Sequence, residues 1–192
     1  AHDSRYDAAL RTFLRARGGR RRGRCPLGLH LEVNVTPRWI EEGGSLHDPA
    51  NPRIRAHWDA VVTWVREAFG DALFALRIDL DETGGGVVDA FLSPLRRLRH
   101  KADSKAPSAA AELWISVNRA MEELTARFGH RRSENWAAIN TSWAAHAKAY
   151  LDPRLSRGDP KRLTGRRHVP IDEIRLGHTA LKAQEADLAR QS

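Results

Sequence analysis

The chain has 192 residues and carries 32 Lys and Arg against 24 Asp and Glu, a net charge of +8 with histidines neutral. With 41% hydrophobic residues, six Trp and a single Cys, it can build one domain with a sizeable core; wholesale disorder, an internal disulfide and a cysteine-based zinc cluster are excluded. No apolar run approaches the ~20 residues of a membrane helix, and the N-terminus lacks the apolar stretch of a signal peptide, so a cytoplasmic protein with no membrane partner is expected.

In chain order, residues 7–17 offer Ala8, Leu10, Phe13 and Leu14 to one side, the spacing of a short helix. They run into a segment in which six arginines, Arg15, Arg17, Arg20, Arg21, Arg22 and Arg24, are interspersed with Gly18, Gly19 and Gly23. A flexible basic segment of this kind suits a phosphate backbone. The whole chain has 27 Arg and only 5 Lys, and guanidinium makes planar, bidentate contacts with phosphate. GC-rich coding would give the same ratio with no such partner. Over residues 27–35, Leu27, Leu29, Leu31, Val33 and Val35 alternate with Gly28, His30, Glu32 and Asn34, the period of a half-buried strand ended by Thr36-Pro37.

After a loop rich in Gly, Pro, Asn and Asp over residues 43–53, Trp58, Val61, Val62, Trp64, Val65 and Phe69 recur at helical spacing up to Gly70, a C-terminal stop. A strand over residues 73–82, a Thr83-Gly84-Gly85-Gly86 turn and a strand over residues 87–92 closed by Pro94 read as a β-hairpin. Beyond it a basic stretch, residues 96–105 with Arg96, Arg97 and Arg99, leads to helices over residues 109–128 and 133–151, separated at Gly129-His130. This order predicts an α+β fold: a largely antiparallel sheet flanked by helices, then a helical C-terminal part. Residues 1–105 are expected to form the α+β core. Residues 106–192 continue the domain, with a basic loop at 152–170 and a terminal helix at 171–190.

The hairpin carries the densest chemistry. Asp79, Asp81 and Glu82 fall within four residues, and Asp89 follows on the partner strand. Alternation puts Arg77, Asp79 and Asp81 on one face and Ile78 and Leu80 on the other. A three-residue connection sets Asp79 opposite Asp89, whereas one more residue turns Asp89 to the apolar side. Clustered carboxylates select a hard cation, Mg²⁺ or Mn²⁺; the alternative is a set of turn-flanking acids paired with Arg77. His30 lies on the polar face of the first strand, where it can approach the site, although a solvent-facing role is the commoner one. The remaining histidines show no ligand spacing, and Trp58, Trp64, Trp114, Trp136 and Trp143 read as core residues, with base stacking the minority reading.

Several of these segments together resemble the plasmid mobilisation and recombination (Mob/Pre) relaxases, a branch of the HUH endonucleases. The similar segments are Leu31-Glu32-Val33-Asn34-Val35-Thr36-Pro37-Arg38-Trp39, the Trp-rich helix ending in Phe69-Gly70, and Asp79-Leu80-Asp81-Glu82-Thr83. His2-Asp3-Ser4-Arg5 is similar to the family's first motif, H-x-x-R, and Trp114-Ile115-Ser116-Val117-Asn118 and Leu151-Asp152-Pro153-Arg154 follow in the family's order. The likeness spans residues 2–170. It departs from the family at the hairpin: Asp79 stands where the first metal-binding histidine is expected, Gly86 and Val88 replace the next two, and Glu82 alone keeps its identity.

The resemblance implies an HUH-like fold, single-stranded or hairpin plasmid DNA as partner, and a metal-assisted nick that joins the DNA to a side chain. It implies His2 as nucleophile and Arg5 as a phosphate holder, with Tyr6 the competing nucleophile. Two outcomes are compatible with the missing histidines. Either Asp79, Glu82 and Asp81 or Asp89 rebuild the site around Mg²⁺ or Mn²⁺, or the chain is a catalytically degenerate DNA-binding protein.

Overall fold

Alternating burial along Leu29–Val33 organises the first strand, β1: Leu31 and Val33 are buried while His30 and Glu32 are exposed. The computed structural model describes residues 4–21, 23, 25–81, 85–98, 112–158 and 190. Contacts divide the chain into two units, Ala1–Arg157 and Gly158–Ser192, and the architecture described below belongs to the first. The expected terminal helix at 171–190 lies, except for Arg190, outside the described residues.

Helix α1 (Ser4–Arg17) precedes β1, and a short helix α2 (Pro37–Glu41) follows it. Helix α3 (Pro52–Phe69) starts where Asn51 accepts a hydrogen bond from the Arg53 backbone N–H at 2.9 Å, with Pro52 in the first turn. It stops at Gly70, whose φ of 67° an L-residue with a side chain rarely adopts. Strands β2 (Leu73–Asp79) and β3 (Val87–Leu92) form the hairpin. The strand expected to reach Glu82 thus ends at Asp79.

The sheet order is β1-β3-β2, with β3 antiparallel to both neighbours. β1 and β2 are therefore parallel to each other, joined by α3 and separated by β3, a split βαβ arrangement. On one face Leu31, Val33, Val88, Ala90 and Leu92 pack with Val61, Trp64, Val65 and Phe69 of α3. The opposite face is partly covered by α1, whose Tyr6 and Phe13 meet Phe91 and Phe74 at ring separations of 4.2 and 6.0 Å.

The chain departs from the expected helices after Pro94. Strands β4 (Leu95–Leu98) and β5 (Glu112–Ile115) form a second antiparallel sheet, where the sequence suggests a basic connector and the first turns of a helix. Arg20 adds to β5 through a parallel bridge to Trp114, its N–H donating to the Leu113 carbonyl at 2.8 Å. Helix α4 (Val117–Arg127), a 3-10 turn (Arg132–Glu134) and helix α5 (Asn135–Tyr150) complete the unit. α4 and α5 deliver Met121, Leu124 and Ile139 to the main core, while Trp39, Ile40, Ile54, Ala147 and Leu155 form a second cluster. The α+β reading, with antiparallel sheets flanked by helices and helices toward the C-terminus, describes the molecule.

Candidate metal and nucleic-acid site

Strand register decides which polar side chains meet. Glu32 of β1 and Arg77 of β2 are the cross-strand neighbours of Asp89 on the central strand β3. The three share the face opposite the main core, because Val88 and Ala90 on either side of Asp89 are fully buried against α3. Arg77, rather than Asp79, stands opposite Asp89; Asp79 pairs with Val87 at the end of the hairpin. The seven residues between the two strands exceed either connection considered from the sequence.

Asp89 is 3% exposed although its face looks away from the main core. His30 Nε2 donates to its Oδ1 at 2.8 Å, and Arg77 donates to its Oδ2 through Nε at 2.8 Å and Nη2 at 2.5 Å. Burial pulls the Asp89 pKa up, but the hydrogen bonds from His30 and Arg77 outweigh it and hold the carboxyl below the usual carboxylate range. The group is ionised at neutral pH.

Glu32 completes the cluster. One donor atom each from His30, Glu32 and Asp89 lies within 4.8 Å of the others. Two carboxylates directly opposite each other on neighbouring strands repel. Arg77 compensates Asp89 from the β2 side, whereas no Lys or Arg pairs with Glu32 among the described residues. A divalent cation between the three residues would remove that imbalance, provided the His30–Asp89 hydrogen bond gives way to it. One imidazole and two carboxylates form a mixed donor set, unlike the all-carboxylate site expected from the hairpin, and are less suited to Mg²⁺, which prefers oxygen.

No family model, curated protein or solved structure matches this chain. The geometry therefore stands by itself. Tyr6, in the first turn of α1, packs its ring 4.2 Å from Phe91, and His30 stacks on the same Phe91 at 4.5 Å and 4° between planes. Phe91 is thus a shared ring partner of His30 and of Tyr6. Arg5, its neighbour, is exposed, and His2 lies outside the described residues.

The other candidates are dispersed. Asp79 Oδ2 is 3.8 Å from Arg77 Nη2 and its Oδ1 accepts the Asp81 backbone N–H at 3.0 Å, so Asp79 and Asp81 cap the strand end. Glu82 lies outside the described residues, as do Arg22, Arg24 and Arg99. The remaining arginines do not all belong to a loose loop: Arg15 and Arg17 are the last turn of α1, and Arg17 lies over the Phe13 ring at 4.5 Å. Arg20 pairs with Glu112 at 2.9 Å and Arg96 with Glu123 at 2.7 Å. Arg21 and Arg97 are exposed.

Sequence reasoning passed over Glu32 and saw that His30 could approach the site, but gave it the commoner solvent-facing role. The usable signal was there: alternation put both on the polar face of β1, two residues apart. What it lacked was the partner strand, 59 residues away for the His30–Asp89 contact. Trp136 also departs from its expected core role, since it is 62% exposed, whereas Trp64 is 2% exposed.

Proposed function

We propose that the chain binds single-stranded or hairpin DNA and transfers a phosphodiester to a side chain with the help of a divalent cation, in the manner its resemblance to mobilisation relaxases implies. The observation that carries this reading is the cross-strand pair Glu32–Asp89 with His30 beside it, all three donor atoms within 4.8 Å. Bound there, Mn²⁺ or Mg²⁺ supplies positive charge against phosphoryl oxygens as they gain charge in the transition state.

The chain's own groups supply the rest. The nucleophile is His2, as the resemblance implies, or Tyr6; with Tyr6, the phenolic oxygen forms a bond to phosphorus as the bond to the departing 3′ oxygen breaks. The phenolic proton leaves to solvent, the 3′ oxygen acquires one from solvent, and the DNA stays joined through its 5′ phosphate. Arg77 donates to Oδ2 of Asp89 through Nε and Nη2 and so fixes the orientation of that carboxylate. Arg5 beside Tyr6 and the whole-chain net charge of +8 favour a phosphate backbone as partner.

A second reading, binding without cleavage, has its own support: Asp89 already has both oxygens satisfied by His30 and Arg77. One experiment separates the two. A pool of randomised single strands labelled at the 3′ end is incubated with the protein and Mn²⁺, then run on a denaturing gel. The enzyme reading expects a labelled protein–DNA adduct that is lost in Tyr6→Phe if the phenol is the nucleophile and in His2→Ala if the imidazole is. It expects the adduct to be lost in Asp89→Asn as well, with DNA affinity changed less than about threefold, because arginines carry the affinity. Binding with no adduct under any divalent cation would leave the second reading alone standing.

A further inference from the structure

β1 is an edge strand: among the described residues its one sheet partner is β3, so a row of its backbone donors and acceptors faces away from the sheet. That edge does not face open solvent. It borders a cleft of about 190 Å³ whose other wall is α5. Trp136, Asn140 and Trp143 lie at positions i, i+4 and i+7 of that helix and line one side; His30, Glu32 and Asn34 line the other. The Trp143 indole donates to the Asn34 carbonyl at 3.0 Å and so ties the helix to the strand exit.

The chemistry of this cleft is selective. At about 190 Å³ it is below the roughly 300 Å³ at which pockets begin to take drug-sized molecules, so it holds one ring system rather than a whole nucleotide. None of its lining residues is Lys or Arg, and Glu32 contributes negative charge, so a phosphate is disfavoured inside it. What it offers is the face of an indole 62% exposed at the rim, and the Asn140 amide with two donors and an acceptor. An aromatic face beside a matched donor and acceptor is the chemistry that recognises a base with no pairing partner. His30 and Glu32 belong both to this cleft and to the Asp89 cluster.

We infer that the β1–α5 cleft receives one unpaired nucleobase, stacked on Trp136 and read on its edge by Asn140, which brings the phosphate attached to that nucleotide toward His30, Glu32 and Asp89. The inference rests on the phosphodiester reading above and names its substrate more closely: single-stranded DNA, held by a base as well as by its backbone.

The test is fluorescence anisotropy with 5′-labelled twelve-residue oligodeoxyadenylate, single-stranded and annealed to its complement, at several salt concentrations, with adduct formation on the randomised pool measured in parallel. Trp136→Ala should weaken single-strand binding about tenfold, leave duplex binding unchanged and leave the slope of affinity against salt unchanged, because no phosphate contact is removed. Trp136→Phe should recover most of the loss, and Asn140→Ala should fall between them. Trp136 is mostly exposed, so these variants keep the core, and a melting curve checks this. Unchanged single-strand affinity in Trp136→Ala, alongside adduct formation by the unmodified protein, overturns the cleft and leaves the phosphodiester reading intact. Equal weakening toward single strand and duplex also overturns it. An unmodified protein that neither binds single strands nor forms adduct removes both.

Discussion

Protonating His57 should destabilise the fold between pH 6.5 and 4. This histidine of α3 is fully buried; its Nδ1 donates to the Gly86 carbonyl at 3.0 Å, and its Nε2 has no partner among the described residues. Burial lowers its pKa from 6.5 to about 4, against a smaller opposing effect of the Gly86 bond. The folded value lies below the unfolded one, so the stabilisation is complete above pH 6.5 and is lost as the pH falls toward 4, where the unfolded chain takes up a proton that the folded chain resists. Each tenfold difference in proton affinity corresponds to about 1.4 kcal/mol, which gives a loss of about 2 kcal/mol at pH 5 and about 3 kcal/mol at pH 4. Urea unfolding followed by tryptophan fluorescence from pH 7.5 to 4 measures it, in the unmodified protein and in His57→Leu. The difference between the two curves cancels the other titrating groups. Curves that run parallel through this window would refute the reasoning, because the drop would then belong to some group other than His57.

Three further substitutions probe the scaffold. Gly85→Ala places a Cβ 2.7 Å from the Leu46 carbonyl oxygen at a residue with φ of 61°, so a loss of about 2 kcal/mol or more is expected in thermal unfolding. Gly18→Ala, with the same φ of 61° and nothing within 4 Å of its Cβ, should cost only about 1 kcal/mol. Ser142→Ala removes the acceptor 2.9 Å from the buried Trp64 indole nitrogen, and denaturant unfolding should show a loss of about 1–3 kcal/mol.

What could be read from the sequence depended on how local the deciding interactions are. The alternation of Leu29, Leu31 and Val33 and the helical spacing of Val61, Trp64, Val65 and Phe69 are local signals, and each element formed where the pattern put it; β2 and β3 also paired, with β2 ending three residues earlier than expected. β4 and β5 were missed for a physical reason. Leu95–Leu98 has two arginines in four residues, and Glu112–Ile115 merges with the amphipathic pattern of α4, with Ser116 alone between them. Such short strands exist because they pair with each other and because Arg20 joins the edge of β5, contacts no local pattern announces. The polar cluster was partly visible in the same way. Spacing within the hairpin singled out Asp89, but its neighbours His30 and Glu32 come from a strand that register alone brings alongside. Trp136 shows the opposite limit: helical spacing places a tryptophan on a face of α5, and only the packing of that face against β1 shows it to be a rim residue.

The position of β3 has a consequence for how the protein comes into being. It is the central strand of its sheet yet the last of the three in the chain, so β1 and β2 have no common neighbour until residues 87–92 have been made and threaded between them. Asp89 arrives with that insertion. Before it, Glu32 and Arg77 have nothing to flank, and His30 has no carboxylate to bond. In a growing or partly unfolded chain His30 and Glu32 therefore lack their third partner, and the cluster is completed in the same event that closes the sheet.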